Sequence, residues 1–159
     1  MAEGAASPPL RRIARRFATL PGRRRGLLLE AVCWLAAVRV ALLFVPFRIL
    51  AARFGTLTSP GAAQAPTPAA SDGELAAARE ISWAVTRAAR YVPFRAVCLP
   101  QAIAAKAMLG RRRIASVMHF GVAKKKDAAL AAHAWLDAGP VQVTGYPFDM
   151  DFTEVARFV

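Results

Sequence analysis

Two residues of this chain have the types and the setting for acyl-transfer chemistry. Cys98 stands in "RAVCLPQAIAAKAM" (95–108), just before a proline and a run with helical periodicity. His133 stands in "AHAWLDAG" (132–139), a strand-like run whose alternation places His133, Trp135 and Asp137 on one face. A helix N-terminus or a nearby imidazolium stabilises a thiolate, and an imidazole can protonate a leaving group. We therefore expect the Cys98 sulfur and the His133 imidazole to lie in contact with each other in an accessible cleft.

From the residue types alone, a structural role remains the commoner explanation for each of these side chains. The other cysteine, Cys33, lies inside an apolar helical run, so we expect a small buried hydrophobe. His119 has no neighbours that mark a ligand or a base, and a structural role is predicted for it. No Cys/His cluster has zinc spacing, so neither a metal nor another cofactor is expected. Two cysteines are too few for a disulfide framework and fit a reducing compartment.

The net charge of +12 would attract nucleic acid, anionic lipid or an acidic peptide and does not identify which; solubility is an equally good explanation of the scattered arginines. Nucleic acid is disfavoured, since no known motif occurs and the aromatic residues are not interleaved with the basic runs. Glu30, Arg39 and Arg48 interrupt the apolar stretch 26–50, which is therefore not expected to span a membrane. No signal peptide is recognised, and we expect a cytoplasmic protein. Peripheral contact with anionic headgroups stays open, because arginines precede the apolar stretch.

The pattern along the chain divides it into four parts. These are a basic lead-in (1–25), a helical region (26–55), a linker or mobile loop (56–70) and a core domain (71–159). The helical region is apolar almost all round, so we expect it to pack between other elements. In the core domain, Ser71 and Glu74 form a capping-box pattern before a helix that reaches about Arg90. A second helix has Cys98 at its entrance and stops at Gly110. Strands are predicted over 114–123, 129–138 and 141–146, which gives an α+β fold with an antiparallel meander.

Four segments in this order resemble one enzyme family: "CLPQAIAAKAML", "IASVMHFGVAKK", "AHAWLDAG" and "FTEVARF". They are similar to the B proteins of lasso-peptide biosynthesis, the leader peptidases of the transglutaminase-like cysteine peptidase superfamily. With the upstream apolar region, the resemblance covers residues 26–159. It implies N-terminal helices followed by a transglutaminase- or papain-like core, with the cysteine on a helix and the histidine on an antiparallel sheet.

The resemblance also implies a reaction and its residues. The enzyme would remove the leader from a ribosomally made precursor, with Cys98 as nucleophile and His133 as base. The family usually supplies an Asp from the next strand, but the positions near 143–145 carry no acid here. Asp137 would lie about 13 Å along the strand, too far to touch the ring. We favour Asp149 as the third residue, with Asp151 as an alternative; a backbone carbonyl or water could instead orient the imidazole.

The partners implied by the resemblance are the precursor peptide and an ATP-dependent cyclase that closes the macrolactam. The chain has no room upstream of its helical region for a fused precursor-recognition module, so a stand-alone peptidase with a separate leader-recognition protein is expected. Two other hypotheses remain. One is a basic module that binds a peptide or a membrane, and the other is an acyl transferase of the same superfamily.

Overall fold

The computed structural model describes residues 17–51, 55–58, 70–124, 129–148 and 150–159. Within these ranges the chain forms helices followed by an antiparallel sheet, which confirms the α+β class. The helices are α1 (Gly22–Phe44), α2 (Phe47–Ala51), α3 (Asp72–Ala89) and α4 (Cys98–Gly110). The strands are β1 (Leu57–Thr58), β2 (Val117–Lys124), β3 (Leu130–Ala138), β4 (Val141–Thr144) and β5 (Thr153–Phe158).

The predicted helical region 26–55 consists of two helices separated at Pro46. The Val45 amide still donates to the Ala41 carbonyl at 2.7 Å. Pro46 then has no amide hydrogen to continue the ladder, so the helix breaks there. The first helix also begins earlier than predicted, at Gly22. Residues 1–16, which hold most of the basic lead-in, lie outside the described ranges.

Only one face of α1 is buried, which makes two predictions wrong. Ala31 and Leu35 are fully buried against α3 and α4. The opposite face is exposed and includes Cys33, which is therefore not a core residue. Nor is α1 packed between elements on all sides. A helix that is apolar all round can bury only the stripe that meets a partner, and the sequence does not tell which stripe that is.

Helix α3 begins with the predicted capping box. The Ser71 hydroxyl accepts from the Glu74 amide at 3.3 Å, and the Ser71 amide donates to the Glu74 carboxylate at 2.8 Å. Its buried residues recur at helical spacing and include Ala78, Ile81, Val85 and Ala88. Local capping chemistry and periodicity therefore sufficed to place this helix.

The five-stranded sheet has the order β1-β5-β2-β3-β4. The predicted meander β2-β3-β4 is confirmed, with Gly121 opposite His133. Strand β5 was not predicted and pairs along the other edge of β2. Strand β1 lies inside the predicted linker 56–70, where Leu57 pairs with Phe158; residues 59–69 of that linker lie outside the described ranges. A two-residue strand has no period of its own, so only its partner reveals it.

The two faces of the sheet have different neighbours. Met118, Leu136 and Ala138 belong to the hydrophobic core that the helices cover. Because side chains alternate along a strand, His133, Trp135 and Asp137 lie on the opposite face. The chain between β4 and β5 covers that face with aromatic residues, Phe148 and Phe152 among them.

Candidate active site

Cys98 is the first residue of α4, as the sequence predicts. The preceding residue, Val97, has an extended backbone and its side chain cannot cap the helix. Gln101 fixes the start of the helix through two hydrogen bonds. Its backbone N–H donates to the Val97 carbonyl at 3.3 Å, and its side-chain Nε2 donates to the Ala96 carbonyl at 2.6 Å. The thiol is free and half-buried. It therefore lies at the positive end of the helix dipole, a setting that stabilises an anion.

His133 lies in β3 with its ring held on several sides. Its Nε2 lies 2.7 Å from the Gly145 carbonyl oxygen. The ring stacks on Phe152 with centroids 4.9 Å apart, and Phe148 meets it edge-on at 5.7 Å. A carbonyl oxygen only accepts hydrogen bonds, so Nε2 carries the hydrogen. The lone pair of the neutral ring is therefore on Nδ1, which is the atom that could take a proton.

The carbonyl that orients His133 depends on a glycine. Gly145 has a φ of +90°, and a Cβ there would lie 2.7 Å from both the Ala134 oxygen and the Trp135 Cβ. No larger residue fits this close approach without displacing β3. The Gly145 carbonyl thus occupies the position next to the His133 ring where an Asp side chain was expected.

The acidic candidates for a third residue are placed as follows. Asp149 lies outside the described residues. Asp151 is exposed. Asp137 accepts from the Tyr146 hydroxyl at 2.9 Å and lies 3.4 Å from Nε2 of His119, so its carboxylate serves other partners than His133.

No hydrogen bond joins Cys98 to His133 in the described part of the chain. The His133 ring lies on the sheet face opposite the one that the helices cover. The expected contact between the sulfur and the imidazole therefore stays a prediction.

His119 is part of a charged cluster that the sequence did not suggest. Its Nδ1 lies 2.7 Å from Glu154, and its Nε2 lies 3.4 Å from Asp137. Arg157 grips the same Glu154 through two bonds, at 2.8 and 2.6 Å. Trp135 lies between the two histidines and stacks on His119 at 5.3 Å and on His133 at 6.2 Å. The cluster depends on the β2–β5 register, for which the sequence carries no local signal.

The surroundings of this cluster shift the pKa values of His119, Glu154 and Tyr146. Burial alone would lower the pKa of His119, but its hydrogen bonds to Asp137 and Glu154 outweigh burial and raise it. Burial would raise the pKa of Glu154, and bonds from Arg157 and His119 lower it instead. Burial and the bond to Asp137 raise the pKa of Tyr146. His119 is thus held towards its charged form, with both nitrogens engaged, and cannot readily act as a base.

A cleft of about 890 Å³ lies between α1, the end of α4 and the start of β2. Lys106, His119 and Asp137 line it, whereas Cys98 and His133 do not. Lys106 donates to the Ser116 carbonyl at 2.9 Å, and burial lowers the pKa of this ammonium. The charged side chains Lys106, His119 and Asp137 already have partners within the protein, so we do not assign the reaction to this cleft. Among the described residues, no group of three or more His, Cys, Asp or Glu could hold a metal ion.

Comparison with known proteins gives one family. The family described as the Transglutaminase-like superfamily matches residues 41–157, a span that includes Cys98, His133 and Gly145. No curated protein and no solved structure matches the chain.

Proposed function

The chain belongs to the transglutaminase-like superfamily, which includes cysteine peptidases, and on that premise we propose that it is the leader peptidase of a lasso-peptide system. The observation that carries the proposal is the position of Cys98, a half-buried free thiol at the first residue of α4, inside the matched span. Catalysis in this superfamily is typically cysteine-based.

The proposed reaction proceeds through a thioester. Nδ1 of His133 first accepts the thiol proton of Cys98. The resulting thiolate attacks the carbonyl carbon of the amide bond that joins leader and core, and the C–N bond breaks. The amine of the core leaves with a proton from Nδ1 of His133. Water then attacks the thioester while Nδ1 accepts its proton, which releases the leader carboxylate and restores the thiol. Backbone amides at the start of α4 would stabilise the oxyanion of each step.

Orientation of His133 by the Gly145 carbonyl supports its part in this scheme. Hydrogen bonding at Nε2 leaves the Nδ1 lone pair for proton transfer. The scheme requires Nδ1 to approach Cys98 when substrate is bound.

The lasso-peptide assignment rests on the ordered motifs around Cys98 and His133. It implies a cytoplasmic precursor, a separate protein that recognises the leader, and an ATP-dependent cyclase that uses the freed amine. The basic surface, with a net charge of +12, would speed the approach of an acidic leader.

Cleavage of a precursor peptide tests the proposal. The purified chain is incubated with the precursor encoded beside its gene, with and without the recognition protein and the cyclase, and products are weighed by mass spectrometry. We expect Cys98→Ala and His133→Ala to reduce leader release by about a thousandfold or more. Cys33→Ala is the matched control and should cut at the wild-type rate, because Cys33 lies on the exposed face of α1.

The product masses distinguish the remaining hypotheses. A leader with a free carboxylate indicates hydrolysis, and a leader joined to an amine indicates acyl transfer instead. Near-wild-type cutting by Cys98→Ala would overturn the peptidase assignment. A binding module would show no cleavage by the wild type and unchanged binding by Cys98→Ala.

A further inference from the structure

The outward face of α1 is a continuous apolar surface. Its residues recur at helical spacing on the side opposite the core: Leu29, Val32, Cys33, Ala36, Val40, Leu43 and Phe44. Leu29 is 56 % exposed, Leu43 61 % and Phe44 80 %. Ile49 extends the surface beyond Pro46 and is 58 % exposed. Soluble domains seldom expose so long an apolar stripe without something to cover it.

Basic residues border this surface. Arg25 stands one helical turn before Leu29, at the N-terminal end of the surface. Arg39 is half-buried beside it, and Arg48 follows the C-terminal end of α1. Arg25 and Arg48 form no ion pair with the described residues. The one acid in α1, Glu30, points elsewhere: Arg112 grips it through bonds of 3.1 and 2.7 Å.

We propose that this face of α1 docks the protein on an anionic membrane, with the helix lying in the plane of the headgroups. Apolar side chains would enter the boundary between headgroups and acyl chains, and the bordering arginines would meet lipid phosphates. The inference is independent of the peptidase proposal.

Helix α1 is long and apolar enough to cross a bilayer by length and composition. Its other face, however, belongs to the core: Ala31 and Leu35 are fully buried against α3 and α4. A spanning orientation would expose that core, whereas an in-plane orientation leaves it intact. Packing therefore favours a helix that lies on the membrane.

A second copy of the chain is a poorer occupant because of charge. In an antiparallel pairing centred on Ala36, Arg25 of one copy would approach Arg48 of the other. In a parallel pairing, each arginine would approach its own equivalent. The net charge of +12 per copy adds to this repulsion, whereas an anionic surface turns each of these charges into an attraction.

Vesicle flotation of the full chain tests the docking. The vesicles are phosphatidylcholine alone and phosphatidylcholine mixed with phosphatidylglycerol. Wild type should float with the anionic vesicles, and binding should weaken about tenfold or more in the double variant Val40→Glu, Leu43→Glu. The matched control is Leu130→Glu, an apolar side chain that is 75 % exposed at the start of β3, and it should bind as wild type does.

Fluorescence of a probe on Cys33 gives a second test that leaves the apolar residues of this face unchanged. Cys33 lies on this face and can carry a polarity-sensitive fluorophore in a Cys98→Ala chain. Its emission should shift to the blue when anionic vesicles are added.

Several results would overturn the docking. Wild type that floats with neither composition, or equally with both, contradicts it. So does a loss of binding in Leu130→Glu equal to that of the double variant. A concentration-dependent dimer that the double variant abolishes, without vesicle binding, would assign the face to self-association instead.

Discussion

Trp135 separates two histidines with different proton chemistry. Burial would lower the pKa of His119, but the carboxylate at each ring nitrogen outweighs burial and raises it. His133 faces a neutral carbonyl at Nε2, which fixes the tautomer and adds no charge. His119, which has a carboxylate at both ring nitrogens, is thus suited to a structural role. His133, which keeps a lone pair on Nδ1, is suited to proton transfer.

The His119 cluster predicts a pH-dependent stability. A raised folded-state pKa means that His119 stabilises the fold fully below its ordinary value of 6.5, and that this contribution is lost as pH rises through the folded-state value. The free energy of unfolding in urea should therefore fall on going from about pH 6 to pH 9. The His119→Gln variant keeps a hydrogen-bonding side chain that cannot titrate, so its free energy of unfolding should fall less over the same pH range. Equal falls in both proteins would contradict the assignment.

At the scale of elements, the end of β4 decides how His133 is held. The strand stops at Thr144, and Gly145 turns the backbone so closely over β3 that its carbonyl reaches the imidazole. Helix α4 performs the equivalent task for Cys98, since its first turn fixes the thiol at the helix entrance. Both candidate groups therefore depend on where an element begins or ends.

Gly145→Ala should impair both stability and cleavage. The added Cβ conflicts with β3 and displaces the carbonyl, so we expect a loss of at least about 1 kcal/mol of stability and on the order of a hundredfold in cleavage rate. Gly139→Ala is the control, because Gly139 also has a positive φ of 55° but its Cβ would meet only ordinary contacts. It should lose stability and keep the cleavage rate once folded. Unimpaired cleavage by Gly145→Ala would show that this carbonyl does not orient the base.

At the scale of the whole molecule, α1 is both part of the core and a surface. Its inner face packs against α3 and α4, and the Arg112–Glu30 pair ties it to the end of α4. That bond lowers the pKa of Glu30 in spite of partial burial. The outer apolar face therefore belongs to a helix whose inner face is packed into the core.

Two leucines of α1 test this dual role. Leu35→Ala opens a cavity in the core and should lower the free energy of unfolding by about 2–5 kcal/mol. Leu43→Ala removes a side chain that is 61 % exposed and should change it by no more than about 0.5 kcal/mol. Chemical denaturation of both variants gives the comparison. Similar values for the two would mean that α1 is not part of the cooperative fold.

The sequence by itself determined the features that short-range chemistry specifies. The Ser71–Glu74 cap, the helix that opens at Cys98 and the meander after Gly110 each depend on residues close together in the chain. Their positions followed from hydrogen-bonding side chains, helical periodicity and turn residues.

Only the tertiary structure decided which surfaces meet. The exposure of Cys33, the pairing of Leu57 with Phe158, and the approach of Glu154 to His119 join segments that no local pattern connects. The approach of the Gly145 carbonyl to His133 likewise depends on how the chain after β4 passes over β3, and a glycine by itself does not indicate which side chain its carbonyl meets. These contacts depend on strand register and helix packing, which are properties of the whole fold.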